Sequence, residues 1–236
     1  MMFARFGLLL MLLISMHAHA GLFGFGGESW KEEVLLHDGQ KLIVDRSVEF
    51  GGRHELGQKP PYKEQTLAFT LPSTKERITW EDHYSDDVGS FNFNPMLLEV
   101  FGDTAYVLSS PVNTQSFSKW GCPNPPYVVF KYQNKEWKRV PLQEIPAEVK
   151  LPNLVISSPD DVAKNANHGL LSVEMIKQAN DGFSRSEYRT ILREPIANTG
   201  MGCLVKTKRG WESPGGSKAP FPISPPVSSG DKNKKN

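Results

Sequence analysis

The chain has 236 residues, 39% hydrophobic and 22% charged, with a formal net charge of +1. So even a balance argues against a protein that holds nucleic acid through its phosphates, because that binding needs a clustered basic surface. The length allows one well-buried domain once the low-complexity ends are set aside.

The chain opens MMFARFGLLLMLLISMHAHAG. Arg5 precedes the apolar run Phe6 to Ile14, and Ala18-His19-Ala20 supplies small residues for cleavage, so residues 1–20 read as a secretory signal peptide cut after Ala20. The apolar run is about half the roughly 20 residues that cross a bilayer, and no second run follows, so no integral membrane span is expected. Losing Arg5 leaves 26 basic residues (27 − 1) against 26 acidic ones. The expected location is periplasmic or secreted.

Residues 21–29 read as a flexible, Gly-rich lead, and residues 30–212 as a single β-rich domain. WKEEVLLHDGQKLIVDRSVEF holds two Val/Leu/Ile-rich runs around Asp38-Gly39, a strong hairpin signal. GGRHELGQKPP follows at residues 51–61. His54-Glu55 begins like the zinc helix H-E-x-x-H, but position 58 is Gln, Gly57 interrupts the motif and Pro60-Pro61 follow, so no helix brings two ligands to one face. Arg53, His54 and Glu55 are therefore expected in a loop between strands. TLAFTL and ERITWED read as further strands.

WEDHYSDD, residues 80–87, crowds Trp80, Glu81, Asp82, His83, Asp86 and Asp87 at a strand end. Such carboxylates can hold Ca²⁺ or shift one another's pKa values, but their spacing matches no calcium loop, and a solvated turn is the simpler account. Hairpins recur around Gly102-Asp103 and around Gln133-Asn134-Lys135. The aromatics Trp80, Tyr84, Phe91, Phe93, Trp120, Tyr127, Tyr132 and Trp137 recur at strand spacing and read as core rather than as a binding groove. Cys122 and Cys203 are the two cysteines of the chain and are expected to pair in an oxidising compartment.

After residue 157 the texture changes. Ser158-Pro159-Asp160-Asp161 reads as a helix start with Ser158 as cap. A second helix is predicted from Ser172 as cap to Gly182, so that short helices occupy about 159–181. SEYRTILRE reads as extended, and CLVKTKRGW as a strand pair turning near Lys208 to Gly210. From Ser213 the chain holds five prolines and four lysines without apolar periodicity, and residues 213–236 are expected to be a disordered tail. Strands first and helices later, with no βαβ rhythm, predict an α+β chain that is mainly β: an antiparallel meander or sandwich-like sheet over about 30–157, then the helices, then short strands to about 212.

No G-x-S-x-G elbow, dinucleotide glycine pattern or phosphate loop is present, and no cofactor is expected. WKEEVLLHDGQKLIVDRSVEFGGRHELGQKPP, ITWEDHYSDDVGS, PNPPYVVFKYQNKEWKRVPLQEIP and EYRTILREP resemble a family of uncharacterised secreted proteins from proteobacteria. The resemblance spans most of residues 30–195 and implies an envelope location without implying an activity. The expectation is a binding or assembly module without catalysis, whose partner is an envelope protein or polymer. Its expected contact surface is the 51–63 loop with the 80–87 strand end. One alternative is a hydrolase of an envelope polymer using carboxylates among Glu55, Glu81, Asp82 and Asp86. Another is a metal-binding module using His37, His54 and His83.

Overall fold

Period-two alternation of apolar and polar residues builds the first sheet. β1 (Gly27–Leu35), β2 (Lys41–Phe50), β3 (Tyr62–Thr70) and β4 (Arg77–His83) pair antiparallel in chain order. Trp30, Val34, Val44, Val48, Leu67, Phe69, Ile78 and Trp80 turn to one face and are buried. The other face is polar: Asp45 pairs there with Lys31 and, at 2.7 Å, with Arg77. The computed structural model describes residues 26–52, 54–55 and 57–214. The expected signal peptide, residues 21–25 of the lead, Arg53 and the tail from residue 215 lie outside the described residues. The first strand takes in Gly27–Ser29, three residues that composition assigned to the lead.

The second sheet is a four-strand antiparallel meander of β5 (Phe93–Phe101), β6 (Thr104–Pro111), β7 (Val128–Gln133) and β8 (Glu136–Val140). All of β6 and most of β5 are buried, because both faces of this sheet are covered. Phe93, Leu98, Val100, Ala105, Val107 and Val128 pack against the inner face of the first sheet. On the far side, Leu97, Tyr106, Leu108 and Val129 meet Ile145, Val149, Ile156 and Ile191 from the chain that follows β8. Burial on both faces is why MLLEV shows no alternation. The eight aromatics divide: Trp80, Phe93 and Tyr127 are buried, and the other five are partly exposed.

Between β6 and β7 lies α1 (Thr114–Lys119), where Asn113 Oδ1 accepts from Ser116 N at 2.8 Å. After β8 the expected sheet gives way to irregular chain over residues 141–157. α2 (Pro159–Ala163) begins where composition placed it, but Ser158 is left-handed, with φ 46°, and its side chain makes no cap bond; Pro159 at the first helical position sets the start instead. β9 (Leu170–Leu171) then extends the first sheet, parallel to β1. α3 (Val173–Asp181) is capped as expected: Ser172 Oγ accepts from Met175 N at 3.3 Å. Its Ile176 packs on Trp30, Val48 and Leu171.

SEYRTILRE does not form a strand. Ser186–Tyr188 is a single 3-10 turn, and the following residues lie on the second sheet, with Ile191 N donating to Lys150 O at 2.7 Å. Bonding to irregular chain removes the ladder that extended sequence usually seeks. The strand pair β10 (Val205–Thr207) and β11 (Gly210–Glu212) forms as predicted. The disulfide Cys122–Cys203, with Cα atoms 5.7 Å apart, ties this last segment to the end of α1.

One strut organises the seam between the sheets. Glu32 and Arg46 lie on the inner face, fully buried and paired at 2.8 Å. Glu32 Oε2 accepts from Val155 N at 3.0 Å, and Arg46 donates to Val155 O at 2.8 Å. Trp30 Nε1 donates to Glu32 at 2.9 Å. A buried ion pair gains little net energy unless its remaining hydrogen bonds are made, and here they are made to the backbone that crosses the seam.

Candidate functional site

The β2–β3 loop and the 80–87 strand end do come together, at one end of the first sheet. A Cβ at Gly52 would lie 3.4 Å from the Tyr84 ring, and His83 faces Glu81 at 3.4 Å and Glu64 at 4.0 Å. The loop is held down rather than open. Lys59 bonds the buried Asp160 and, at 3.0 Å, Asp161 of α2, while the Tyr62 hydroxyl donates to Asp160. Burial and the Asp160 carboxylate push the Tyr62 phenol well above its ordinary value, so it stays a donor. His54 Nδ1 lies 3.0 Å from Gly52 O, and Gln58 Nε2 donates to Glu55 at 3.4 Å, so this stretch is a local turn.

The carboxylates of 80–87 serve different purposes. Trp80 and Asp82 point into the protein; Glu81 and His83, alternating with them on β4, point out. Asp82 accepts from Asn92 N, Phe93 N and Asn92 Nδ2, each at 2.9 Å, and from Gln65 Nε2 at 3.1 Å, which fixes the turn into β5. Asp86 is exposed. Burial opposes ionisation of Asp87, but Lys119 at 3.0 Å and Lys206 hold its carboxyl below the ordinary range. Glu81 and Asp82 thus lie on opposite faces of one sheet, which separates two of the carboxylates considered for hydrolysis. His37 stands at the β1–β2 turn, the opposite end of β2 from His54 and His83. Among the described residues no three His, Cys, Asp or Glu side chains are grouped to hold a metal.

Burial also opposes ionisation of Asp82 and outweighs the bonds from Asn92 and Gln65, so its carboxyl titrates above the usual value of 3.8. A carboxyl raised by folding binds its proton more tightly in the native state. Its contribution to stability is therefore full below the unfolded pKa and is lost as pH rises through the folded one. Thermal unfolding from pH 4 upward should show wild type losing ground against Asp82→Asn across that window. A constant gap between the two proteins would contradict it.

A concavity lies at the other end, around the β1–β2 turn. It is a mainly apolar cleft of about 750 Å³ whose walls are the end of β1, α3 and the 188–190 turn, and whose floor is the chain from Glu148 to Asn153. The size is that of a small-molecule site. Leu151 on the floor and Leu35 on the wall are large apolar side chains left 67% and 41% exposed. Asn153 fixes the floor between β1 and β5: its amide accepts from Leu98 N at 2.9 Å and donates to Leu98 O at 2.8 Å and to Leu35 O at 3.0 Å.

One polar constellation opens into this cleft. Glu99, 1% exposed on β5, accepts from His37 Nδ1 at 2.8 Å and from His37 N and Val100 N at 3.0 Å. The His37 ring also stacks on Phe101, with centroids 4.3 Å apart. In the neutral ring, Nδ1 carries the proton because it faces a carboxylate, which leaves Nε2 as an acceptor.

Composition singled out His37 only as a metal ligand and passed over Glu99. The usable signal was a lone carboxylate in the apolar run PMLLEVF, since a Glu buried in a strand almost always has a partner. Comparison of the chain with protein-family profiles, with curated proteins and with solved structures finds no match.

Proposed function

We propose that this protein is a non-catalytic binding module of the bacterial envelope, and that its ligand occupies the cleft over residues 148–153. The observation that carries the reading is the 750 Å³ apolar cleft with Leu35 and Leu151 standing exposed at it. Exposed leucines cost the free protein apolar hydration, and covering one with a ligand recovers about 1.5 to 3 kcal/mol. The disulfide supports an extracytoplasmic placement. The 51–63 loop and the 80–87 strand end are weaker contact surfaces, because Lys59 pins the first and Trp80 and Asp82 of the second are buried.

The test is titration with a fluorophore that brightens in apolar surroundings. Wild type should bind it. Leu151→Glu, at an exposed position, should keep the same melting temperature and weaken binding about tenfold or more. Equal binding by both proteins, or none by wild type, would refute the cleft as the ligand site.

A further inference from the structure

Resting on the cleft as the ligand site, we infer that His37 is its polar anchor and that the ligand is an apolar chain ending in an uncharged hydroxyl. The ring is prepared for this. Glu99 holds Nδ1 from a fully buried position, Phe101 stacks on the ring, and the His37 side chain remains 26% exposed, on the cleft lining. A ligand that covers the exposed Nε2 at a mainly apolar wall must bring a proton to it, since an acceptor buried without a donor is costly.

The charges of the cleft select the head group. Lys150 on the floor, Lys177 on α3 and Arg189 are balanced by Glu33 on β1, Glu148 on the floor and Asp181 on α3, and Glu33 already pairs with Lys41 at 3.0 Å. Behind His37 stands the Glu99 carboxylate. With Glu99 counted among the lining carboxylates and Lys41 counted beside Glu33, four charges of each sign give no net attraction for either, and Glu99 disfavours an anionic head at the ring itself. An uncharged donor attached to an apolar chain matches both the acceptor and the balance.

The experiment displaces the fluorophore with decanol, decyl methyl ether, decanoate and decylamine. With Nδ1 donating to Glu99 the ring accepts at Nε2, so the alcohol should bind about tenfold tighter than the ether, which has no proton to give. His37→Asn places an amide that can still donate to Glu99 but leaves no acceptor at the Nε2 position. It should keep ether binding and lose the preference. An alcohol-to-ether ratio near one in the wild type, or one unchanged in His37→Asn, would overturn the anchor while leaving the cleft intact. Tighter binding of decanoate or decylamine than of decanol would overturn the uncharged head. Failure of every compound, with the fluorophore unbound, would instead refute the cleft.

Discussion

Arg46→Met should lower the unfolding free energy by about 3 to 5 kcal/mol, among the largest losses available to a single substitution here. Removing the guanidinium leaves Glu32 as an uncompensated charge with no exposure to water. It also strips Val155 O of its donor, so the crossing chain of residues 153–156 loses one of its holds on the first sheet. Glu32→Leu combined with Arg46→Met should recover part of the loss, because an apolar pair carries no desolvation penalty. Recovery is incomplete, since Val155 N and O both remain unpartnered. Denaturant unfolding of the three variants gives the comparison. A loss below about 1 kcal/mol in the single variant would show that the strut is not what closes the seam.

Removing the disulfide is the second large effect. Cys122 and Cys203 are 81 residues apart, and closing a loop of that length restricts the unfolded chain by about 4 kcal/mol in the chain-entropy description. Cys122→Ser with Cys203→Ser should therefore destabilise the protein by about that amount. Locally, the bridge acts with two hydrogen bonds: Leu204 N donates to Ser118 Oγ at 2.8 Å, and Trp211 Nε1 donates to Asp87 O at 2.7 Å. The β10–β11 pair buries few side chains, so these contacts alone hold it poorly. The double variant should show a red-shifted tryptophan emission as Trp211 reaches solvent, at denaturant concentrations where the sheets remain folded. Coincident loss of both signals at the wild-type midpoint would show that the bridge is dispensable.

The two effects differ in what the chain reveals in advance. Two cysteines in a chain with a predicted secretory leader suffice to expect a bond, because oxidising compartments pair thiols. Glu32 and Arg46 look like ordinary members of alternating strands. Their even-numbered positions should have warned that both face inward with Val34 and Val44, yet alternation cannot say which partner a buried charge will meet. Here the partner is the backbone of Val155, more than one hundred residues away from either by chain separation.

The same division runs through the candidate site. The hairpin at Asp38-Gly39 was readable, and with it the presence of His37 in a turn. The bond from His37 to Glu99 spans 62 residues and exists because β5 brings its end under the β1–β2 turn. Nor could the floor of the cleft be read. Residues 148–153 carry no periodicity, and their path is set by Asn153 bridging β1 and β5 and by Thr190 and Ile191 bonding Lys150 O. SEYRTILRE was misread for the same reason: its backbone bonds go to that irregular chain and to Tyr127, whose hydroxyl donates to Glu187 O at 2.7 Å. Local propensity is a weak guide where tertiary partners decide.

By itself the sequence determined the mainly β class, the hairpins, the start of α2, the cap of α3 and the closing strand pair. These depend on short-range chemistry: side-chain alternation, turn residues that accept positive φ, and groups that satisfy a helix end within three residues. Tertiary structure alone decided which sheet is covered on both faces, where the buried carboxylates find donors, and that a cleft opens beside His37. Those outcomes require segments far apart in the chain to meet, and no local pattern records which apolar face will cover which, or which backbone will need a charge to hold it.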